Sequence, residues 1–451
     1  MGQSHSDKSV LALVKRYETS PNDYLDAEEY DIICGHYTRM AQLKKALTAS
    51  KQGLSLHQGY TPLYYHLAKT QMELGELEHA KDSIQTAVNR NKRLLEKSSK
   101  KLPQSVYLQI YESYLLKAEI HLKYKELGLA TRAMQDAAKT PVHFRYSPYI
   151  DMAQLYNDAN LPVQANKCCQ KACQDTPNDA AAWNLLCHSY FQLNLPKKAI
   201  GALKKLVELE PYDAQHWCRL GIACTEFDDP IEAEKAFEYA LSIDEELFDA
   251  WFHFALLHMD NQAYAKAFEC LQHCDQLQPN QVPVQVNMAI CERSLEQYEA
   301  SLQRFTQLIK QCPDNADILT EMTSTLFFLE QWDTAIRTIK LAIRIEPSPT
   351  RWAWLSNLYL IVEEYDNSLQ AMLETERMDP YFPFVDLHIA FIYQELGNSQ
   401  QAFKHIQMAA EKDPNALRHF LKNDPVALHR FFEQYPMAKE YFNDIDDGLT
   451  E

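Results

Sequence analysis

Residues 214–247 read AQHWCRLGIACTEFDDPIEAEKAFEYALSIDEEL. Trp217, Leu220, Gly221 and Cys224 recur at i, i+3, i+4 and i+7, the spacing of one helix face. Ala233, Phe237 and Ala240 line one face of a second helix in the same way. Small residues at Gly221 and Ala233 let the two helices approach closely, and Trp217, Leu220 and Phe237 fill the space around that contact.

The stretch is one copy of a repeat. Pro177, Pro211, Pro279, Pro313, Pro347, Pro380 and Pro414 lie 34, 68, 34, 34, 33 and 34 residues apart, and Glu245 stands at the skipped position inside the doubled interval. Proline removes a donor and clashes with the preceding turn, so it marks a helix end. With this proline at position 32 of each unit, position 20 is Ala165, Ala199, Ala233, Ala267, Ser301, Ala335, Ser368 and Ala402. Position 8 is Ala153, Cys187, Gly221, Ala255, Ala289, Thr323, Ser356 and Ala390, again all small. Position 4 holds Tyr149, Trp183, Trp217, Trp251 and Trp352 in five of eight units. A lone hairpin cannot bury such a surface, so neighbours must stack.

These residues resemble the tetratricopeptide repeat family, with 214–247 the clearest unit. The frame continues upstream through 111–144 (Tyr114, Ala118, Ala130, Met134, Ala137), 61–94 (Tyr64, Ala68, Gly75, Ala80, Ile84) and 27–60 (Tyr30, Tyr37, Ala46). The whole chain also looks like uncharacterised bacterial proteins made of such repeats alone, an impression resting on texture and on the opening YLDAEEYDIICGHY. The resemblance implies an all-α fold: a right-handed superhelical solenoid of about eleven helical hairpins with a concave inner face and terminal capping helices. The expected organisation is a capping helix in 1–26, two divergent repeats in 27–94, an insertion or extended helix in 95–110, nine repeats in 111–416, and capping helices with an acidic tail in 417–451. The segment NRNKRLLEKSSKKLPQ (89–104) reads either as a lengthened second helix ending at Pro103 or as a hinge or docking site for an acidic partner.

Composition narrows the function. The 44 basic and 62 acidic residues give a net charge of −18, which repels phosphate backbones, so nucleic acid is not expected as a partner. A basic protein or peptide suits this charge better. No apolar run is long enough to span a membrane, and the N-terminal sequence lacks the apolar core of a secretory signal. The 11 scattered cysteines then read as reduced thiols in a cytoplasmic protein. Cys34 and Cys187 fill position 8, Cys224 position 11, Cys169 position 24 and Cys274 position 27, so packing accounts for them without metal. No nucleotide loop, nucleophile elbow or paired-histidine metal motif is present, and neither cofactor nor catalysis is expected. An enzyme would require an enclosed pocket with convergent ionisable groups of perturbed pKa. The start MGQSHS matches an N-myristoylation pattern at Gly2.

In the resembled family, ligands lie along the concave face at first-helix positions 2, 5, 9, 12 and 13. Here the candidate ligand-binding residues are Asn184, His188, Phe252, Leu256, Asp260, Ile290, Arg293, Phe327, Phe328, Asn357 and Phe391. Two readings stay open: a groove for a peptide with apolar anchors, or side chains covered by neighbouring first helices. The family's clamp for a chaperone C-terminal carboxylate needs Lys and Asn at positions 5 and 9. Asn184/His188, Cys218/Ile222, Phe252/Leu256, Val286/Ile290 and Thr320/Ser324 do not supply it. The expected function is a non-catalytic scaffold binding a protein or peptide segment, with a ligand- or peptide-responsive sensor as the alternative.

Overall fold

The computed structural model describes residues 3–412 apart from 21–22, 99–100, 143–146 and 228. Among the described residues there are 23 helices and no strand. The chain divides into two compact units, Met1–Asp229 and Pro230–Glu451. The first contains α1 (Gln3–Thr19), α2 (Ala27–Arg39), α3 (Leu43–Leu56), α4 (Thr61–Glu73), α5 (Leu77–Lys97), α6 (Gln104–Lys123), α7 (Leu127–Ala138), α8 (Tyr149–Asp158), α9 (Pro162–Asp175), α10 (Ala180–Gln192), α11 (Pro196–Leu209) and α12 (Ala214–Glu226). The second contains α13 (Pro230–Ile243), α14 (Phe248–Asp260), α15 (Tyr264–Leu277), α16 (Val282–Ser294), α17 (Tyr298–Gln311), α18 (Ala316–Phe328), α19 (Trp332–Ile345), α20 (Pro349–Ile361), α21 (Tyr365–Met378), α22 (Val385–Glu395) and α23 (Ser399–Lys412).

Within each unit, helices pair across three-residue turns, and every second helix begins at position 17 of the 34-residue frame. The turn has a fixed construction. Position 15 is left-handed at Ala41, Gly75, Lys125, Asn160, Asn194, Gln262, Glu296, Glu330, Glu363 and Gly397. The next residue's N–H then reaches back to the carbonyl at position 11, as in Leu195 to Tyr190 (2.9 Å), Gln331 to Leu326 (3.0 Å) and Glu364 to Tyr359 (2.9 Å). This is a Schellman closure, which satisfies the orphan carbonyls of the first helix and reverses the chain.

Positions 8 and 20 meet where the paired helices are closest. Ala153, Ala165, Ala199, Ala255, Ala267, Ala289 and Ala335 are completely buried. Serines at the two positions join their backbones: Ser356 Oγ donates to the Ser368 carbonyl and Ser368 Oγ to the Ser356 carbonyl, each at 2.9 Å. Position 24 supplies bulk. Phe237 and Phe305 are fully buried, and Phe237 stacks on Phe254 with ring centroids 5.6 Å apart. Burying one such side chain contributes about 1.5–3 kcal/mol.

The tryptophans at position 4 close the joint between successive repeats. Trp183, Trp217 and Trp251 donate their indole N–H to the carbonyls of Pro177, Pro211 and Glu245, at 2.8, 2.9 and 2.8 Å. Each acceptor lies two residues beyond the last residue of the preceding second helix, in the turn that leads into the tryptophan's own helix. At the equivalent joint before Trp352 the Glu346 carbonyl is taken by Arg351 Nη1 instead, at 2.6 Å.

At the N-terminal end, Val14 of α1 packs with Leu25, Tyr30 and Tyr37 against α2. A capping box starts α2: Asp26 accepts from Glu29 N–H while Glu29 accepts from Asp26 N–H. The basic segment continues α5 as far as Lys97. Helix α6 then starts at Gln104, behind Pro103 and seven residues ahead of its frame position, so both helices of this joint are long. The capping helices and acidic tail expected in 417–451, and Gly2, lie outside the described residues.

All 11 cysteines are free, and all but Cys168 and Cys312 are buried. Burial pushes the Cys169 and Cys274 thiols up to about 12, which keeps them protonated.

Candidate functional site

The first helices place positions 5, 9, 12 and 13 side by side, because residues three and four apart share a helix face. In the second unit the candidate residues divide by environment. Phe252 and Leu256 are half-buried, and Phe252 stacks on Phe248 with centroids 6.1 Å apart. Ile290 packs against the cluster of Ala289, Phe305, Leu308 and Ile318. Phe327 is half-buried, edge-on to Trp332 at 5.4 Å and to Trp354 at 5.9 Å. Arg293 of α16 is committed to α18, donating to the Glu321 carbonyl at 3.0 Å and to its Oε2 at 2.8 Å. Asn357 is half-buried and Asp260 exposed.

Phe328 and Phe391 stand out, being 50% and 54% exposed. Phe328 lies flat on Tyr298 of α17, 5.3 Å away and within 4° of parallel, so its ring is held in place while its other face meets solvent. Before α22, Phe384 adopts a left-handed backbone conformation (φ 57°) and is 42% exposed. It lines a cavity of about 380 Å³ with Tyr381, Phe382 and Leu387. In the first unit, Asn184 and His188 are both exposed on α10. Asn184 Oδ1 accepts from Arg219 of α12 at 2.7 Å, and His188 Nε2 lies 3.0 Å from Gln192 Nε2.

A further site in the first unit was not among the candidates. Asp31 of α2, Tyr65 and His66 of α4, Asn91 of α5, and Glu112 and Ser113 of α6 line a cavity of about 140 Å³. Its signal was present: Asp31 and Tyr65 hold position 5 and Glu112 position 2, inner positions of the upstream repeats. His66 Nε2 lies 2.9 Å from Asp31 Oδ1 without hydrogen-bond alignment, and that oxygen and His66 Nδ1 are both buried without hydrogen-bond partners. Desolvation pushes the Glu112 carboxyl above its usual range, opposed by Lys69 and His66 and reinforced by Asp31. Farther along α6, desolvation raises Glu119 too, with Lys123 and Lys69 opposing.

Two clusters bring possible metal-ligand atoms within 4.8 Å of one another: Glu210, Asp213 and His216, and Glu376, Asp386 and His405. In the second, the charge is already met by protein groups, since Asp386 accepts from Lys412 at 2.7 Å and lies 3.1 Å from His405 Nδ1. No helix among the described residues is long and apolar enough to cross a membrane.

Comparison with known proteins follows the same frame. The tetratricopeptide repeat family model matches residues 61–93 and 248–281, each beginning at position 1 of a unit, the second set by the proline spacing and the first by its small and aromatic residues. Among solved structures, the chain is similar to a tetratricopeptide repeat protein from Parabacteroides merdae (16% identity, 54% of this chain and 97% of that one, TM-score 0.46). It is also similar to yeast Tom70 (15% identity, 98% and 97%, TM-score 0.43) and to the Cut9 and Hcn1 assembly of the APC/C (14% identity, 92% and 92%, TM-score 0.41). No curated protein matches the chain. Tetratricopeptide proteins generally mediate protein–protein interaction and are generally non-catalytic. With the family model falling in frame on two of its hairpins, and the same turn and close-packed positions recurring in the others, the chain is similar to tetratricopeptide repeat proteins.

Proposed function

We propose that this protein is a non-catalytic scaffold that binds a protein or peptide segment on the face lined by its first helices. The observation that carries the reading is the exposure of Phe328 and Phe391 on that face in the second unit. Large aromatic side chains left in solvent on helices that bury their other faces are characteristic of binding anchors. The partner has apolar residues to cover these rings and a basic balance to complement a chain of net charge −18. Ser113, the hydroxyl in the first unit's cavity, donates to the Gln109 carbonyl and accepts from Asn91, so no base is placed to activate it as a nucleophile.

The test is a capture experiment followed by titration. Partners captured by the wild-type chain are identified, and the binding segment is titrated against wild type and the Phe328→Asp/Phe391→Asp variant. The reading expects at least a tenfold loss of affinity with helical content and melting unchanged. Equal affinity in the two proteins refutes the assigned face, and robust turnover by the purified chain refutes the non-catalytic reading. A sensor would instead show a ligand-dependent change of shape in small-angle scattering.

A further inference from the structure

We infer that the cleft where α4 and α6 begin and α5 ends receives an acidic segment of a partner protein, with carboxylates on Arg90, Arg93 and Lys97 and one aliphatic side chain on Leu94. This goes beyond the reading above, since the cleft lies at the ends of these helices in the first unit and carries the opposite charge to the chain as a whole.

The array departs from its pattern here. Second helices such as α11, α15 and α17 have 14 residues and end at position 30, the place Arg90 holds in α5. Helix α5 has 21 residues and runs on to Lys97. Arg90, Arg93 and Lys97 are spaced i, i+3 and i+7, so they share one helix face, and Leu94 stands among them, 44% exposed.

These four residues, with Tyr60 and Val106, line a cleft of about 440 Å³, a volume that takes several side chains at once. No carboxylate lines it. Among the described residues, Arg93 and Lys97 make no ion pair or hydrogen bond, and Arg90 is held only by the Tyr64 ring, 4.8 Å from its guanidinium carbon. Helix α4 begins in the same cleft without a side-chain cap, so its dipole adds positive potential there. Asn91 and Gln109 line both this cleft and the cavity of Asp31 and Glu112, and the cations acting on Glu112 are Lys69 and His66. The three cations of the cleft are therefore uncompensated, in a chain of net charge −18.

Their spacing describes the occupant. Like charges three and four residues apart on a helix repel, and an incoming carboxylate relieves them. Arg90 and Lys97 are about 10 Å apart along the axis, which an extended segment covers in roughly three to four residues. Guanidinium groups take carboxylates in two-point contacts, so the segment carries acids on both sides of one leucine-sized residue. A nucleic acid or an anionic bilayer is too extended to reach the cleft without also meeting the acidic surface around it.

Fluorescence anisotropy with a rhodamine-labelled, capped Gly-Gly-Asp-Asp-Leu-Asp-Asp-Gly-Gly peptide tests the inference on the full chain. Binding is expected, and it should weaken at least tenfold in Arg93→Gln/Lys97→Gln. Replacing the peptide's Leu by Gly should weaken it several-fold, and replacing its Asp residues by Asn should abolish it. Circular dichroism and melting establish that the double variant is folded. The Phe328→Asp/Phe391→Asp variant should bind this peptide as wild type does, so the two readings fail separately. No binding overturns the inference. So does an equal loss in Lys44→Gln/Lys167→Gln, which removes two exposed lysines elsewhere in the unit. Tenfold tighter binding of the peptide with phosphoserine in place of Asp would assign the cleft to phosphate and overturn the carboxylate assignment. Self-association lost in Arg93→Gln/Lys97→Gln, with no peptide bound, would assign the cleft to a second copy of the chain and overturn it too.

Discussion

Replacing Arg304 by methionine isolates one buried charge. Glu292 on α16 is 4% exposed, and its carboxylate is held by a two-point contact from Arg304 on α17: Nε to Oε2 at 3.0 Å and Nη2 to Oε1 at 2.6 Å. The remaining guanidinium nitrogen, Nη1, donates to Gln285 Oε1 at 2.5 Å. Methionine keeps most of the length and removes every donor, so Glu292 is left charged and unpaired in the joint between the two helices. Breaking a buried pair in this way costs about 3–5 kcal/mol. The side chain of Arg304 is 24% exposed, so water can partly reach the gap and the cost belongs near the lower end. At about 2–4 °C per kcal/mol for a unit of this size, melting should fall by roughly 6–12 °C. One further signature separates lost charge pairing from lost packing. The double variant Glu292→Leu/Arg304→Met should recover most of the loss, since apolar replacement of a buried pair is often neutral. Urea and thermal unfolding followed by circular dichroism measure both. A deficit under 1 kcal/mol, or one not recovered in the double variant, would refute the reasoning.

Three other outcomes follow from the described geometry. Burial raises the Asp386 carboxyl, but the hydrogen bonds from His405 and Lys412 outweigh it and hold the pKa below the ordinary value. Its contribution is therefore present above the unfolded carboxylate pKa and lost as pH falls through the folded one, so Asp386→Asn should flatten the acid limb of melting temperature against pH. With burial raising Cys34, Cys169, Cys173, Cys274 and Cys291 to about 12, thiol titration with a disulfide reagent should be slow in the folded chain and should begin at the half-buried Cys168 and Cys312. Equal rates for folded and urea-unfolded chain would contradict it. Trp217→Phe should cost about 1 kcal/mol by leaving the Pro211 carbonyl without its indole donor, beyond the small loss of ring area, and no measurable change would show that water replaces the bond.

The repeat was legible because proline and small residues recur for steric reasons that few other residues can meet. Position 15 was not legible: Asn, Gly, Gln, Glu, Lys and Ala all occupy it, and backbone hydrogen bonds rather than composition force its left-handed geometry. Positions 12 and 13 show the limit of reading a face by slots. Phe327 and Phe328 are neighbours in sequence, but about 100° of helical rotation turns one onto Trp332 and Trp354 and the other toward solvent. Arg293 read as available for a ligand, whereas Glu321 on the next first helix takes it up. The first unit's cavity was harder to read because Gln109, at its wall, belongs to the early start of α6 outside the 34-residue frame, and Asn91, at position 31, lies on the part of α5 that runs past the usual end of a second helix.

The left-handed turns leave room for engineering. Six of them carry Ala, Lys, Gln or Glu, at Ala41, Lys125, Gln262, Glu296, Glu330 and Glu363, where a Cβ is strained by about 1–2 kcal/mol and glycine would be relaxed at some cost in unfolded-chain entropy. Because the turns belong to separate hairpins, such exchanges should add nearly independently. A set of glycines could thus set the thermal endurance of the array in steps, while its aromatic anchors and acidic cavity keep their chemistry.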